Sequence, residues 1–264
     1  MHWCIQENIY HERGMEELLT CLQRADLPHS LHKVIPFDGG FEPDLNVEGP
    51  VMCMGSYSMR HVAKRKGWWP GVFDLEFFDY EHQRRAWPGH MLNDDAIVCP
   101  FSHVPELMPA EEVFIRPIAD SKVFAGAVMT RQELEPWVDS VCKLEEDYGD
   151  SLSKATLVMM CAPKAIRAEY RNWIVGGRVA TSSLYKRGDR VLYSDDVDAA
   201  VIEYANARAA EHCPLEAFVM DVADTEEGFR IVECNTFNAA GLYAANVGRL
   251  VEAICALAQP QTLD

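Results

Sequence analysis

Asp221, Glu233 and Asn235 are the residues of this 264-residue chain whose types and spacing most directly describe a chemistry. Asp221 lies in EAFVMDV (216–222), while Glu233 and Asn235 stand two apart in FRIVECN (229–235), and ADTEEG joins the runs. Two apolar runs around a short polar joint read as a β-hairpin. Side chains two apart on a strand share a face, so Glu233 and Asn235 project together, and Asp221 reaches that face if the register permits. Two carboxylates and an amide oxygen form a hard-oxygen site suited to Mg²⁺, with water and phosphate oxygens completing the octahedron. The plainer alternative is a strand-end aspartate and a solvent-facing glutamate. Against it stands the apolar setting, because charges inside such runs are costly unless paired or metal-bound.

Glu169 and Arg171 obey the same period-two rule in EYRNWIV (169–175) and share a strand face, either as part of a site or as a solvated ion pair. Gly176 and Gly177 join this run to RVATSSLY, a strong hairpin signal, and Tyr185 and Lys186 end the partner strand. These hairpins need a scaffold. Residues 10–25 place Met15, Leu18, Leu19 and Leu22 at helical spacing, with short buried strands expected near 31–36 and 50–54 and a helix near 56–66. Together they suggest a small α/β lobe over 1–108, followed by a second lobe over 109–264. In the latter, EEVFIRPI (111–118) and KVFAGAVM (122–129) read as strands. Thr130 and Glu133 have capping-box spacing ahead of a helix carrying Leu134, Trp137, Val138 and Val141, with Pro136 expected to delay its regular start by a turn. A strand at 155–161, an acid-started helix at 197–211 with Val201, Ile202 and Tyr204 inward, and a C-terminal helix near 243–258 complete the pattern. Hairpins interleaved with helices argue for an α+β fold class.

The formal net charge of -17 repels nucleic acid and anionic membranes, so neither is expected as a partner. An anionic substrate would need Mg²⁺ and a few focused cations. The nine cysteines are widely spaced and form no C-x-x-C pair, which favours reduced core thiols over a zinc site or disulfide frame. No apolar stretch approaches ~20 residues and no basic leader precedes a hydrophobic segment, so a cytoplasmic protein is expected. Walker-type, G-x-G-x-x-G and G-x-S-x-G patterns are lacking, and the histidines are scattered. Trp68 and Trp69 read as packing.

The D-x(11)-E-x-N pattern of Asp221, Glu233 and Asn235, followed by TFNAAGLY, resembles the metal-binding end of ATP-grasp ligases. Upstream, FIRPIADSKVFAG and IRAEYRNWIVGGRVATSSLY resemble one branch of that superfamily, the clade named for two arginines and one lysine. The likeness covers about 110–245 and implies an ATP-grasp fold gripping ATP between β-rich subdomains, preceded by a small pre-ATP-grasp lobe. It implies ATP and Mg²⁺ as cofactors and a ligase that activates a carboxylate as an acylphosphate and joins it to an amine. A phosphotransferase using the same site, or a nucleotide-binding module without turnover, are the alternatives.

By position, the resemblance makes Arg116 a phosphate-binding and catalytic candidate and Lys122 part of the flap over the phosphates. Lys164 lies where the family hinge lines the adenine pocket, in contact with adenine or phosphate. Glu169 and Arg171 match residues lining the nucleotide or acceptor site, with Lys186 beside them. Several relatives carry an arginine two residues before the metal-binding aspartate; here that position is Val219, so Arg116 or Arg171 must bring that charge. The flap is poor in glycine, with Gly126 nearby. The acceptor is a small molecule or a peptide, and the oligomeric state is not readable.

Overall fold

The computed structural model describes residues 1–9, 14–36, 38–119, 123–144 and 151–258. It divides into two compact units: Met1–Leu75 with Ile166–Asp264, and Glu76–Ala165.

The first unit begins with a sheet of β1 (His2–Gln6), β2 (His29–Val34), β3 (Phe41–Glu42), β4 (Val51–Met54) and β5 (Pro70–Gly71), ordered β3-β2-β1-β4-β5. All its pairs are parallel except β2 with β3. Both faces are buried, which is why β1 and β4 read as unbroken apolar runs rather than alternating ones. Cys4 and Cys53 face helix α2 (Met59–Lys66) through Met59, Val62 and Ala63. Trp3, Ile5, Met52 and Met54 face α1 (Met15–Arg24) through Leu18 and Leu22.

The second unit holds α3 (Tyr80–Ala86), β6 (Ile97–Pro100), α4 (Val104–Leu107), β7 (Glu112–Pro117), β8 (Ala127–Thr130), α5 (Arg131–Cys142) and β9 (Leu157–Cys161). Its antiparallel sheet runs β6-β9-β7-β8. Val113, Ile115, Val158 and Met160 pack on Leu134, Val138 and Val141 of α5. The expected capping box is present, with the Glu133 carboxylate accepting from Thr130 N at 2.8 Å. Pro136 does not delay the helix: α5 starts at Arg131 and runs through the proline, which forgoes one intrahelical N–H bond. The strand expected at 122–129 is confined to Ala127–Thr130, and Lys122 lies outside the described residues.

The chain then returns to the first unit with β10 (Ala168–Val175), β11 (Arg178–Arg187), β12 (Arg190–Ser194), α6 (Ala199–Glu211), β13 (Ala217–Thr225), β14 (Gly228–Asn235) and α7 (Val247–Leu257). The sheet is antiparallel throughout and ordered β12-β11-β10-β13-β14. Gly176 (φ 58°) and Gly177 (φ 74°) are both left-handed, the two-residue turn that suits the twist of a hairpin. Trp173, Val175, Ala217 and Val219 share a core with Val247, Leu250, Val251 and Ile254 of α7 and with Trp3, Ile5, Leu18 and Leu22. The two ends of the chain therefore bury one another. Helix α6 packs against β10, β11 and β13 with Val201, Ala205 and Ala209 buried; Ile202 and Tyr204, expected inward, are only half-buried. The boundary expected at 108/109 falls within the second unit, Glu76–Ala165.

Among the described residues no cysteine forms a disulfide, and Cys142 and Cys213 are exposed rather than core thiols. Among the described residues no helix is long and apolar enough to cross a membrane.

One buried residue ties the post-β14 segment to the parallel sheet. Asn238 accepts from Phe73 N at 2.8 Å, donates to Gly71 O at 3.2 Å and to Cys53 O, and its own carbonyl accepts from Gly55 N at 3.0 Å. Asn238→Ala should destabilise the protein by roughly 2–4 kcal/mol, because it leaves buried backbone groups without partners. Denaturant unfolding reads this directly; a loss below about 0.5 kcal/mol would contradict it.

Candidate functional site

Register delivers the site. Across the antiparallel sheet Arg171 stands opposite Asp221, and Asp221 opposite Glu233, so the three form one row on one face. Asn235 follows two residues after Glu233 on the same face. Two bulges flank this row. Val232 is the extra residue on β14 beside Glu233, and Tyr185 is the extra residue on β11 where Glu169 pairs with Lys186. A bulge re-aims side chains. Here it lets both Tyr185 and Lys186 reach Glu169, at 2.8 Å from the phenol and 2.9 Å from the ammonium.

At the centre Arg171 holds Asp221 with a fork: Nε donates to Oδ1 at 2.9 Å and Nη2 to Oδ2 at 2.7 Å. Asp221 is 2% exposed and the Arg171 side chain 10%. Asn235 Nδ2 donates to Asp221 Oδ2 at 3.2 Å and to Glu233 Oε1 at 3.1 Å, so the three end groups converge on one point. Burial lifts the Asp221 carboxyl above its ordinary pKa against the pull of Arg171, and the negative charges of Glu233 and Glu169 add to that lift. Burial opposes the charge on Arg171, but Asp221 outweighs it and holds the guanidinium firmly protonated. Tyr185 is pushed far up by burial and by the charges of Asp221 and Glu169, so it stays a donor to Glu169.

The cluster suits a hard divalent cation. Among the described residues no group of three or more His, Cys, Asp or Glu side chains is placed to hold a metal; beside the two carboxylates stands the Asn235 amide. That amide turns its nitrogen to the two carboxylates, and a half-turn about χ2 presents the oxygen instead. Surplus negative charge around a buried carboxylate is what a cation relieves.

The sequence suggested Asp221, Glu233 and Asn235 on one face and Tyr185 beside Glu169 and Arg171, but it did not join Arg171 to Asp221 and gave no notice of Tyr243 and Tyr193. The guanidinium of Arg171 lies 4.7 Å from the Tyr243 ring centroid and 5.6 Å from that of Tyr185. Tyr243 stacks on Tyr185 at 5.3 Å and on Tyr193 at 4.9 Å. Tyr243 has φ 51°, a left-handed conformation uncommon for a bulky residue. The only sequence signal was its place in TFNAAGLY, just past the metal-site strand. Val219, two residues before Asp221, is fully buried beside Trp173 in the α7 core.

Arg116 and Lys164 belong to the second unit. Arg116 projects from β7 with its guanidinium 6.0 Å from the Tyr80 ring centroid. Lys164, just past β9, is paired with Asp95 at 2.7 Å. Both bear on the buried Cys161 thiol, which burial pushes up to about 11 despite their charges. Gly126 lies where an added Cβ would come within 2.9 Å of the Phe114 ring and 3.3 Å of Arg116 Cβ, so its smallness serves close approach to β7.

A family model described as an ATP-grasp domain, family 3 of the clade named for two arginines and one lysine, matches residues 57–254, well over half of the chain. Among solved structures, D-cycloserine synthetase DcsG superposes with a TM-score of 0.61 at 13% identity, covering 98% of this chain and 100% of that one. A RimK domain ATP-grasp protein from Sphaerobacter thermophilus gives 0.62 at 12% identity, with 97% and 100% coverage. The ATP-grasp ligase PsnB complexed with precursor peptide PsnA2 and AMPPNP gives 0.56 at 10% identity, with 98% and 97% coverage. At these identities the likeness is one of fold. No curated protein sequence matches the chain.

Proposed function

The chain belongs to the ATP-grasp domain family, in family 3 of the two-arginine, one-lysine clade, and from that premise we propose that it is an ATP- and Mg²⁺-dependent ligase. It activates a carboxylate as an acylphosphate and joins it to an amine. The observation that carries this reading is the convergence of Asp221, Glu233 and Asn235 beside the Arg171 fork.

A substrate carboxylate oxygen attacks the γ-phosphorus of ATP, the bond to the β-phosphate oxygen breaks, and ADP leaves. The amine nitrogen then attacks the acyl carbon, phosphate departs, and the amine proton passes to solvent or phosphate. Little covalent chemistry falls to the protein; it positions the groups and neutralises charge. Asp221, Glu233 and Asn235 would hold Mg²⁺, which would supply Lewis acidity and a template for phosphate oxygens. Arg171 brings the positive charge that Val219 cannot. Lys186 and Tyr185 fix Glu169, keeping that carboxylate oriented towards the nucleotide or acceptor. Arg116, Lys122 and Lys164 are proposed for the phosphates and the base.

The acceptor is a small molecule or a peptide; among the structural neighbours, one is a small-molecule synthetase by name and one is complexed with a precursor peptide. The buried Val219 favours one second reading, a nucleotide-binding module without turnover. Candidate carboxylate and amine pairs screened for ADP release separate the two. Acceptor-dependent ADP together with a product whose mass matches an amide supports the ligase. Phosphorylated product alone indicates a phosphotransferase, and nucleotide binding without ADP indicates the module.

A further inference from the structure

We infer that Arg171 is a resident counter-ion for Asp221, which admits the divalent cation only together with nucleotide phosphates; the inference rests on the ATP-dependent reading above. Both oxygens of Asp221 are already taken by the fork, at 2.9 and 2.7 Å. A bidentate, charge-assisted pair is the strongest form an arginine and a carboxylate can make. The guanidinium has a built seat. It lies over the rings of Tyr243 and Tyr185, and its Nη1 donates to Gly241 O at 3.4 Å. The segment carrying Gly241 and Tyr243 is pinned to β11, with Ser183 Oγ accepting from Ala244 N at 3.1 Å and Thr181 Oγ1 from Asn246 N at 2.8 Å. Asn235 closes the remaining side by donating to both carboxylates.

Charge balance gives the direction. On this face Glu169, Asp221 and Glu233 stand against Arg171 and Lys186, so the cluster carries one net negative charge. A divalent ion arriving alone more than offsets that single negative charge and sets a second cation against the Arg171 guanidinium where both Arg171 and Asp221 are buried, a repulsion that is costly in low dielectric. The same ion arriving with phosphate oxygens keeps the balance. Metal binding and nucleotide binding are therefore coupled through Arg171, and coupling of this kind is reciprocal.

Mn²⁺, followed by the loss of its free-ion electron paramagnetic resonance signal, is the probe. Wild type, Arg171→Gln and Arg171→Lys are titrated with and without a non-hydrolysable ATP analogue, and the Mn²⁺ that the analogue binds in the absence of protein is subtracted. Wild type should take up Mn²⁺ weakly alone and about tenfold or more tightly with the analogue. Arg171→Gln should bind Mn²⁺ alone about tenfold or more tightly than wild type, and Arg171→Lys, which keeps the charge without the fork, should fall between. A purely structural arginine would produce no gain in metal-alone affinity. Equal Mn²⁺ affinity in wild type with and without analogue overturns the inference, and this arm decides alone if Arg171→Gln does not fold. No gain in a folded Arg171→Gln overturns it as well. An analogue that binds under none of these conditions sinks the nucleotide reading instead, and the metal-alone series still reports on Arg171.

Discussion

Glu233→Ala should yield a folded protein whose ATP turnover is down at least about a hundredfold, since a bound cation supplies several kcal/mol of charge stabilisation. The fold tolerates the change because β14 is anchored by Ile231 and Cys234, both buried, whereas Glu233 is half-buried and points along the row with Asp221. What is lost is one of two carboxylates in a set of three oxygens, together with the partner of Asn235 Nδ2 at 3.1 Å. Circular dichroism on the variant establishes folding, and coupled ADP release measures turnover. A folded variant with turnover within about threefold of wild type would remove Glu233 from the site.

Arg171→Met should cost about 3–5 kcal/mol of stability, because it strands a carboxylate that is almost wholly buried. Adding Asp221→Asn should recover most of that loss, since a neutral amide in the same place no longer needs a counter-ion. Denaturant unfolding of the two single variants and the double variant closes the cycle. Additive losses would mean that the fork at 2.9 and 2.7 Å contributes little and that Arg171 acts through packing alone.

Asp221 and Glu233 stood out in the sequence for a definite reason. Charged residues interrupting FVMDV and RIVECN violate the burial rule, and such violations mark sites. The two hairpins, the glycine pair and the capping box were legible because each is a local pattern of a few residues. The fork was not. It depends on β10 pairing with β13 across some fifty residues, and long-range register leaves no local signature. The bulges at Tyr185 and Val232 were hidden for the same reason, although they decide which side chains reach Glu169 and Asp221. Strand β12 escaped notice because RVLYS exposes Val191 and Leu192 instead of alternating. Pro136 misled by propensity: tertiary packing of Leu134, Val138 and Val141 holds α5 through it. Asn238 looked like a loop residue, yet its amide group joins segments more than 160 positions apart.

Thermal unfolding reads nucleotide binding through the oxygen cluster without any knowledge of the acceptor. Wild type and Glu233→Ala are melted with a non-hydrolysable ATP analogue, with and without Mg²⁺. At about 100 times its dissociation constant a ligand adds about 2.7 kcal/mol of stability, well above the resolution of the method. Wild type should show an upward shift that requires Mg²⁺ and that Glu233→Ala loses. No shift at millimolar analogue in a folded wild type, or a shift of equal size in the variant, would contradict it.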